Sequence, residues 1–163
     1  MNFGLIDRVL ELEPGNRIVA VKAVTLAEEY LAEHFPSFPI LPGVFMLECM
    51  VEAARWLVHA THDFARSMVL LESARGITYK NFVAPGQLLR VHVVCRRLSD
   101  DHSGFSGVGY GGEAEVVKGR FDLRHFNLAA RSPNLAGTDR RILEKARQRW
   151  SLIRPVEHSN STA

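Results

Sequence analysis

His34-Phe35-Pro36-Ser37-Phe38-Pro39-Ile40-Leu41-Pro42-Gly43-Val44-Phe45-Met46-Leu47-Glu48, continued by Cys49-Met50-Val51-Glu52-Ala53-Ala54-Arg55-Trp56-Leu57-Val58, decides the plan of this chain. Pro36, Pro39 and Pro42 each fix their own φ and push the preceding residue toward an extended shape, so the first half is a stiff loop. Pro42-Gly43 then opens a long apolar helix. From Val44 to Val58 only Glu48, Glu52 and Arg55 are charged. Hydrophobic side chains cover nearly the whole circumference, and such a helix is buried. Carboxylates are rarely buried without a partner or a purpose. A histidine-bearing loop feeding a buried helix with an acid on one face points to acid–base chemistry, because an imidazole takes and returns a proton near neutrality.

On either side of this stretch the pattern is that of strands. Leu5 to Leu12 alternates, Glu13-Pro14-Gly15-Asn16 is a turn, and Arg17 to Val24 is rich in Val and Ile; together they predict a hairpin. Thr25-Leu26-Ala27-Glu28 has capping-box spacing and predicts a short helix from Leu26 to about Ala32. The central helix is expected to end near His59 to His62. Met68 to Leu71 is apolar, and Ile77 to Val83 either extends that strand or pairs across a bend at Gly76. Leu88 to Arg97 alternates with Leu89, Val91, Val93 and Cys95 on one face. Further strands run to Tyr110 and from Glu113 to Phe126, across turns at Asp100-Gly104 and Gly111-Gly112. A hairpin, a helix and a meander of strands suit one antiparallel sheet curled around one helix, an α+β layout. Beyond a loop over Asn127 to Gly137, Thr138-Asp139 is expected to cap a helix from about Arg140 to Ile153. Its apolar stripe is Ile142, Leu143, Ala146, Trp150 and Ile153, its remaining surface is locally basic, and the tail from His158 to Ala163 is polar and expected to be disordered.

Bulk properties narrow the field. With 163 residues, 47% of them hydrophobic and 23% charged, the chain can bury a real core. A net charge of +2 is too small to imply nucleic-acid binding. Cys49 and Cys95 lack C-x-x-C spacing and read as reduced core residues of a cytoplasmic protein. No signal peptide is expected from Met1-Asn2-Phe3-Gly4-Leu5-Ile6-Asp7, and the apolar helix is too short and too charged to span a membrane. His59 and His62, three apart at a helix end without a third ligand, read as a solvated terminus rather than a metal site.

The motif His-Phe-Pro-x-x-Pro-Ile-x-Pro-Gly-Val-x-Met-x-Glu resembles the signature of the 3-hydroxyacyl-(acyl-carrier-protein) dehydratases of type II fatty-acid synthesis. Leu5 to Gly15 and Tyr79 to Leu88 resemble that family as well. The resemblance implies a hot-dog fold over residues 1–126, an antiparallel sheet wrapped around one long central helix, with a C-terminal extension over 127–163. It implies dehydration of a (3R)-3-hydroxyacyl thioester to the trans-2-enoyl product, without metal or organic cofactor, the acyl group arriving on the phosphopantetheine arm of acyl carrier protein. It also implies a cytoplasmic homodimer built by pairing sheets edge to edge, with a trimer of dimers as the next assembly.

In that scheme His34 is the general base. The plain alternative is a loop histidine bonded to backbone. Glu48 is the acid; a desolvated carboxyl on a buried helix has a raised pKa suited to protonating the departing hydroxyl. In the family the histidine and the acid of one site come from opposite subunits. Gly43 and Val44 lie at the helix start, where free N–H groups can hold the thioester carbonyl as charge builds on it. Phe38 and Phe82 are candidate acyl-contacting residues, alongside Phe35, Phe45, Met46 and Trp56, although most of the six individually read as core.

Four departures from the family pattern are Glu33, Phe38, Glu52 and Arg55, where the family has glycine, arginine, glutamine and glycine. Glu52 is expected either to couple to Glu48 or to be neutralised by Arg55. The basic C-terminal helix reads as a solvated face, with docking of an acidic carrier as the other reading. A hot-dog acyl thioesterase and a catalytically degenerate homologue that binds acyl chains or a partner are the competing functions.

Overall fold

The computed structural model describes residues 4–33 and 36–157. His34 and Phe35, and the tail over 158–163, lie outside that description. Six strands are formed by Arg8–Glu13 (β1), Arg17–Ala23 (β2), Met68–Tyr79 (β3), Leu88–Leu98 (β4), His102–Gly111 (β5) and Ala114–Phe126 (β6). Three helices cover Glu29–Glu33 (α1), Gly43–Thr61 (α2) and Ala136–Ile153 (α3). The sheet is antiparallel throughout, in the order β1-β2-β4-β5-β6-β3. This is the α+β arrangement read from the sequence.

The alternation of β4 explains why the sheet holds α2. Leu89, Val91 and Val93 are completely buried on one face, while Cys95 at the strand's end is only half-buried. Ile18 and Ala20 of β2 and Phe121 and Leu123 of β6 join them, and Met46, Met50 and Leu57 of α2 fill the space between. Each of these side chains larger than alanine contributes about 1.5–3 kcal/mol on leaving water. α2 touches all six strands, so the apolar helix read from the sequence is the centre of the core.

Several local expectations shift. α1 begins at Glu29, not Leu26: Thr25 starts a turn, its carbonyl accepting from the Glu28 N–H, before the helix opens. The choice left open around Gly76 resolves as one strand. Gly76 has φ +60°, and the register with β6 slips between Arg75 and Thr78, so β3 bends without breaking. β3 pairs on one side only and forms an edge of the sheet.

The C-terminal segment departs further. Two short 3-10 turns, Leu128–Ala130 and Pro133–Leu135, occupy the expected loop, and α3 begins at Ala136. Asp139 therefore lies inside the first turn instead of capping it. Its buried carboxylate reaches back to accept the N–H groups of Leu128 and Ala129, each at 2.9 Å, and the Ser67 hydroxyl. The apolar stripe of α3 does pack inward. Trp150 stacks on Trp56 with centroids 5.7 Å apart, and Ile153 is buried. Arg147 lies 4.7 Å over the Phe64 ring.

Candidate active site

α2 starts at Gly43 behind Pro42, and its ladder begins with the Phe45 and Met46 N–H groups bonding to the Pro42 carbonyl. The N–H groups of Gly43 and Val44 precede that ladder, and no side chain caps them. The ring of Tyr79 passes so close to Gly43 that a Cβ there would lie 3.0 Å from it. A side chain at position 43 would therefore have to displace the half-exposed Tyr79 ring. Around this helix start the surface is apolar. Val44, Phe38 and Phe82 are 64%, 59% and 61% exposed, and the two phenylalanines meet edge to face at 6.0 Å. By contrast Met46 and Trp56 are core, and Phe45 is partly buried.

Glu48 departs from expectation. Its side chain is 37% exposed in the single chain, and Arg55 donates to its Oε1 at 2.6 Å. The Arg55 Nε also donates to the Val69 carbonyl of β3 at 3.0 Å, so one guanidinium ties the acid to the sheet edge. The expected Glu52–Arg55 pairing is replaced by Glu48–Arg55. Glu52 is the buried acid of the helix. Its Oε2 accepts the N–H of Leu5 at 2.7 Å and of Ile6 at 3.2 Å, and its Oε1 accepts the Trp56 indole N–H at 3.3 Å. Burial raises its pKa, and the N–H groups of Leu5 and Ile6 oppose that rise. Glu52 anchors the N-terminal segment to α2, a partner invisible to helix periodicity because it comes from 46 residues away.

His59 also corrects the sequence reading. It is buried rather than solvated, stacked on Phe64 at 5.0 Å, and burial lowers its pKa to about 4. Burial likewise pushes the Cys49 thiol up, which disfavours it as a nucleophile. Cys49 and Cys95 are both free. Among the described residues no group of three or more His, Cys, Asp or Glu could hold a metal, and no helix is long and apolar enough to cross a membrane. His34 is outside the described residues, so its distance to Glu48 is not part of this geometry. Tyr79, over the helix start, and Leu70 and Leu71, exposed on the edge strand, were not singled out from the sequence. Only the bend at Gly76 could have signalled that Met68 to Tyr79 is one edge strand.

An antiparallel sheet wrapped around a single buried helix, with an acid on that helix close to its N-terminus, defines a hot-dog protein. A similar architecture occurs in the dehydratase heterocomplex ApeI:P of Xenorhabdus doucetiae (TM-score 0.66, 18% identity, 77% of this chain and 85% of that one). It also occurs in a hypothetical thioesterase with coenzyme A from Streptococcus pneumoniae (TM-score 0.56, 10% identity, 74% and 85%). At these identities the likeness is one of fold alone. The family is settled by sequence: a family model described as the FabA-like domain matches residues 1–116, and the chain belongs to that family. The 3-hydroxyacyl-(acyl-carrier-protein) dehydratase FabZ of Polaromonas sp. is 39% identical over 113 residues, 68% of this chain and 78% of the relative. The FabZ proteins of Pediococcus pentosaceus and Symbiobacterium thermophilum are 41% and 44% identical. Those matches cover 54% and 56% of this chain, but only 59% and 64% of the relatives' own lengths.

Proposed function

We propose that this chain dehydrates (3R)-3-hydroxyacyl thioesters carried on acyl carrier protein, giving trans-2-enoyl thioesters in fatty-acid biosynthesis in the cytoplasm. The observation that carries the reading is the placement of Glu48. It is a partly exposed acid just over one turn into the core helix, on the same helix as the uncapped N–H groups of Gly43 and Val44. His34 removes the C2 proton. The N–H groups of Gly43 and Val44 take up charge developing on the thioester oxygen, aided by the positive end of the α2 dipole. Glu48 delivers a proton to the C3 hydroxyl, which leaves as water. The step needs no metal or organic cofactor.

The site is completed by a second copy. β3 has an unpaired edge, with Leu70 and Leu71 41% and 38% exposed, and Arg55 ties Glu48 to that same strand. Pairing two such edges extends one sheet through both protomers, and in this reading one site takes its histidine, His34, from one protomer and its acid, Glu48, from the other. A trimer of dimers is the next assembly. Residues 1–126 carry this function, and 127–163 form an extension.

A dehydration assay on 3-hydroxyacyl carrier substrates of several chain lengths tests this, with His34→Ala and Glu48→Gln alongside. Each variant is expected to lose about 10²–10⁴-fold in kcat, the usual worth of a positioned acid or base. Mixing the two variants restores part of the activity if the site is shared between protomers. Acyl-thioester hydrolysis without dehydration would instead identify a thioesterase. Binding without turnover would instead identify the chain as a catalytically degenerate binder.

A further inference from the structure

A cavity of about 560 Å³ lies between α2 and α3, within the size range of small-molecule sites. Its apolar wall is Trp56 from the core helix with Ile142 and Ala146 from α3. α3 lies wholly beyond the stretch matched by the FabA-like domain, so one wall of this cavity belongs to the extension. The polar wall is cationic. Arg55, Lys145 and Arg149 border the space against one carboxylate, Glu52, which is already engaged by the N–H groups of Leu5 and Ile6. Arg55 is committed to Glu48. Lys145 is exposed and makes no salt bridge among the described residues.

Two side chains that line this cavity each carry a fully buried polar atom with no partner among the described residues. One is the Nε of Arg149, whose Nη2 donates to the Ile6 carbonyl at 2.7 Å. The other is the Nδ1 of His59, a side chain lining the same space and only 8% exposed. A space with an apolar wall on one side and cations on the other is shaped for an occupant carrying both characters.

We propose that the cavity between α2 and α3 binds a small amphipathic carboxylate of the fatty-acid type, its apolar body against Trp56, Ile142 and Ala146 and its carboxylate toward Lys145 and Arg149. An apolar body alone leaves the cations without a counter-charge. A small inorganic anion leaves the indole and aliphatic wall uncovered. The proposal does not rest on the dehydratase reading: ligand binding here and dehydration at Glu48 are measured separately, and either can fail alone.

Trp56 lines this cavity and stacks on Trp150, the chain's other tryptophan, so intrinsic fluorescence reports occupancy. The full chain is titrated with octanoate, octanol and acetate. Octanoate is expected to change the emission saturably, octanol to bind about tenfold more weakly for want of a charge-assisted hydrogen bond, and acetate to give no change over the same range. Lys145→Glu, on an exposed position, is expected to weaken octanoate about tenfold or more with the circular dichroism and Tm unchanged. Ala146→Leu, which narrows the cavity, is expected to abolish saturation. The proposal is overturned if octanoate gives no saturable change, if octanol binds as well as octanoate, or if both variants bind octanoate like the wild type.

Discussion

Replacing Glu52 separates two roles a helix acid can play. Its Oε2 is the acceptor for two buried backbone N–H groups, of Leu5 and Ile6, which have no other acceptor among the described residues. Glu52→Ala leaves both unpaired, at about 1–3 kcal/mol each, so about 2–6 kcal/mol together. At about 2–4 °C per kcal/mol for a chain of this size, Tm should fall by about 12 °C. Glu52→Gln keeps an amide oxygen for those donors and loses only the longer bond from the Trp56 indole, so its Tm should lie within about 3 °C of wild type near neutrality. The two variants also differ in pH dependence. Burial raises the Glu52 pKa in the fold, despite the Leu5 and Ile6 N–H groups. A raised folded pKa means that the stabilising contribution of the protonated acid is complete below the ordinary carboxylate range and is lost as pH rises through the raised value. Glu52→Gln does not titrate, so it gains on the wild type as pH rises and the difference shrinks toward acid. Thermal melts from pH 4 to pH 8 measure both effects. If Glu52→Ala melts within 2 °C of wild type, or if Glu52→Gln is as damaging as Glu52→Ala, then Glu52 is not the anchor of the N-terminal segment.

Two more outcomes rest on the packing of α3 over α2. Burial lowers His59 to about 4, with His125 and nearby guanidinium groups adding to the effect. The unfolded imidazole titrates near 6.5, so stability should be intact above that pH and lost on acidification toward 4. His59→Phe, an aromatic replacement between Phe64 and Trp56, should make the profile of Tm against pH shallower over that range, with buried His125, also lowered to about 4, accounting for the slope that remains; a profile parallel to wild type would refute the assignment. Trp150→Ala removes the stack on Trp56 from a partly buried position and should cost about 2–3 kcal/mol. A chemical-denaturation midpoint matching wild type would show that α3 contributes nothing to the fold.

The placement of the site residues separates what is local from what is not. The buried helix, the alternation of β4 and the turns before β2, β4, β5 and β6 were legible because each depends on neighbours a few residues away. The opening Pro42-Gly43 and the apolar run to Val58 place α2 by themselves, and the acid-bearing motif identifies the family. The partners of the acids were not legible. Helix spacing puts Glu48, Glu52 and Arg55 on one face, but does not say which carboxylate the guanidinium reaches or which is shielded from water. Those outcomes depend on Val69 of the edge strand and on the N–H groups of Leu5 and Ile6, brought alongside α2 only by the closed fold.

The same distinction governs the C-terminal extension. The sequence alone determined that 140–153 is an amphipathic helix with Trp150 and Ile153 on its apolar face, because periodicity and charge are properties of the chain. Only the tertiary structure decided that this face lies over Trp56 and His59, that Asp139 turns back to hold the preceding turn and Ser67, and that Lys145 and Arg149 border a cavity against the core helix. Burial and ion pairing are fixed by which surfaces meet, and that is a property of the assembled layers rather than of any stretch within them.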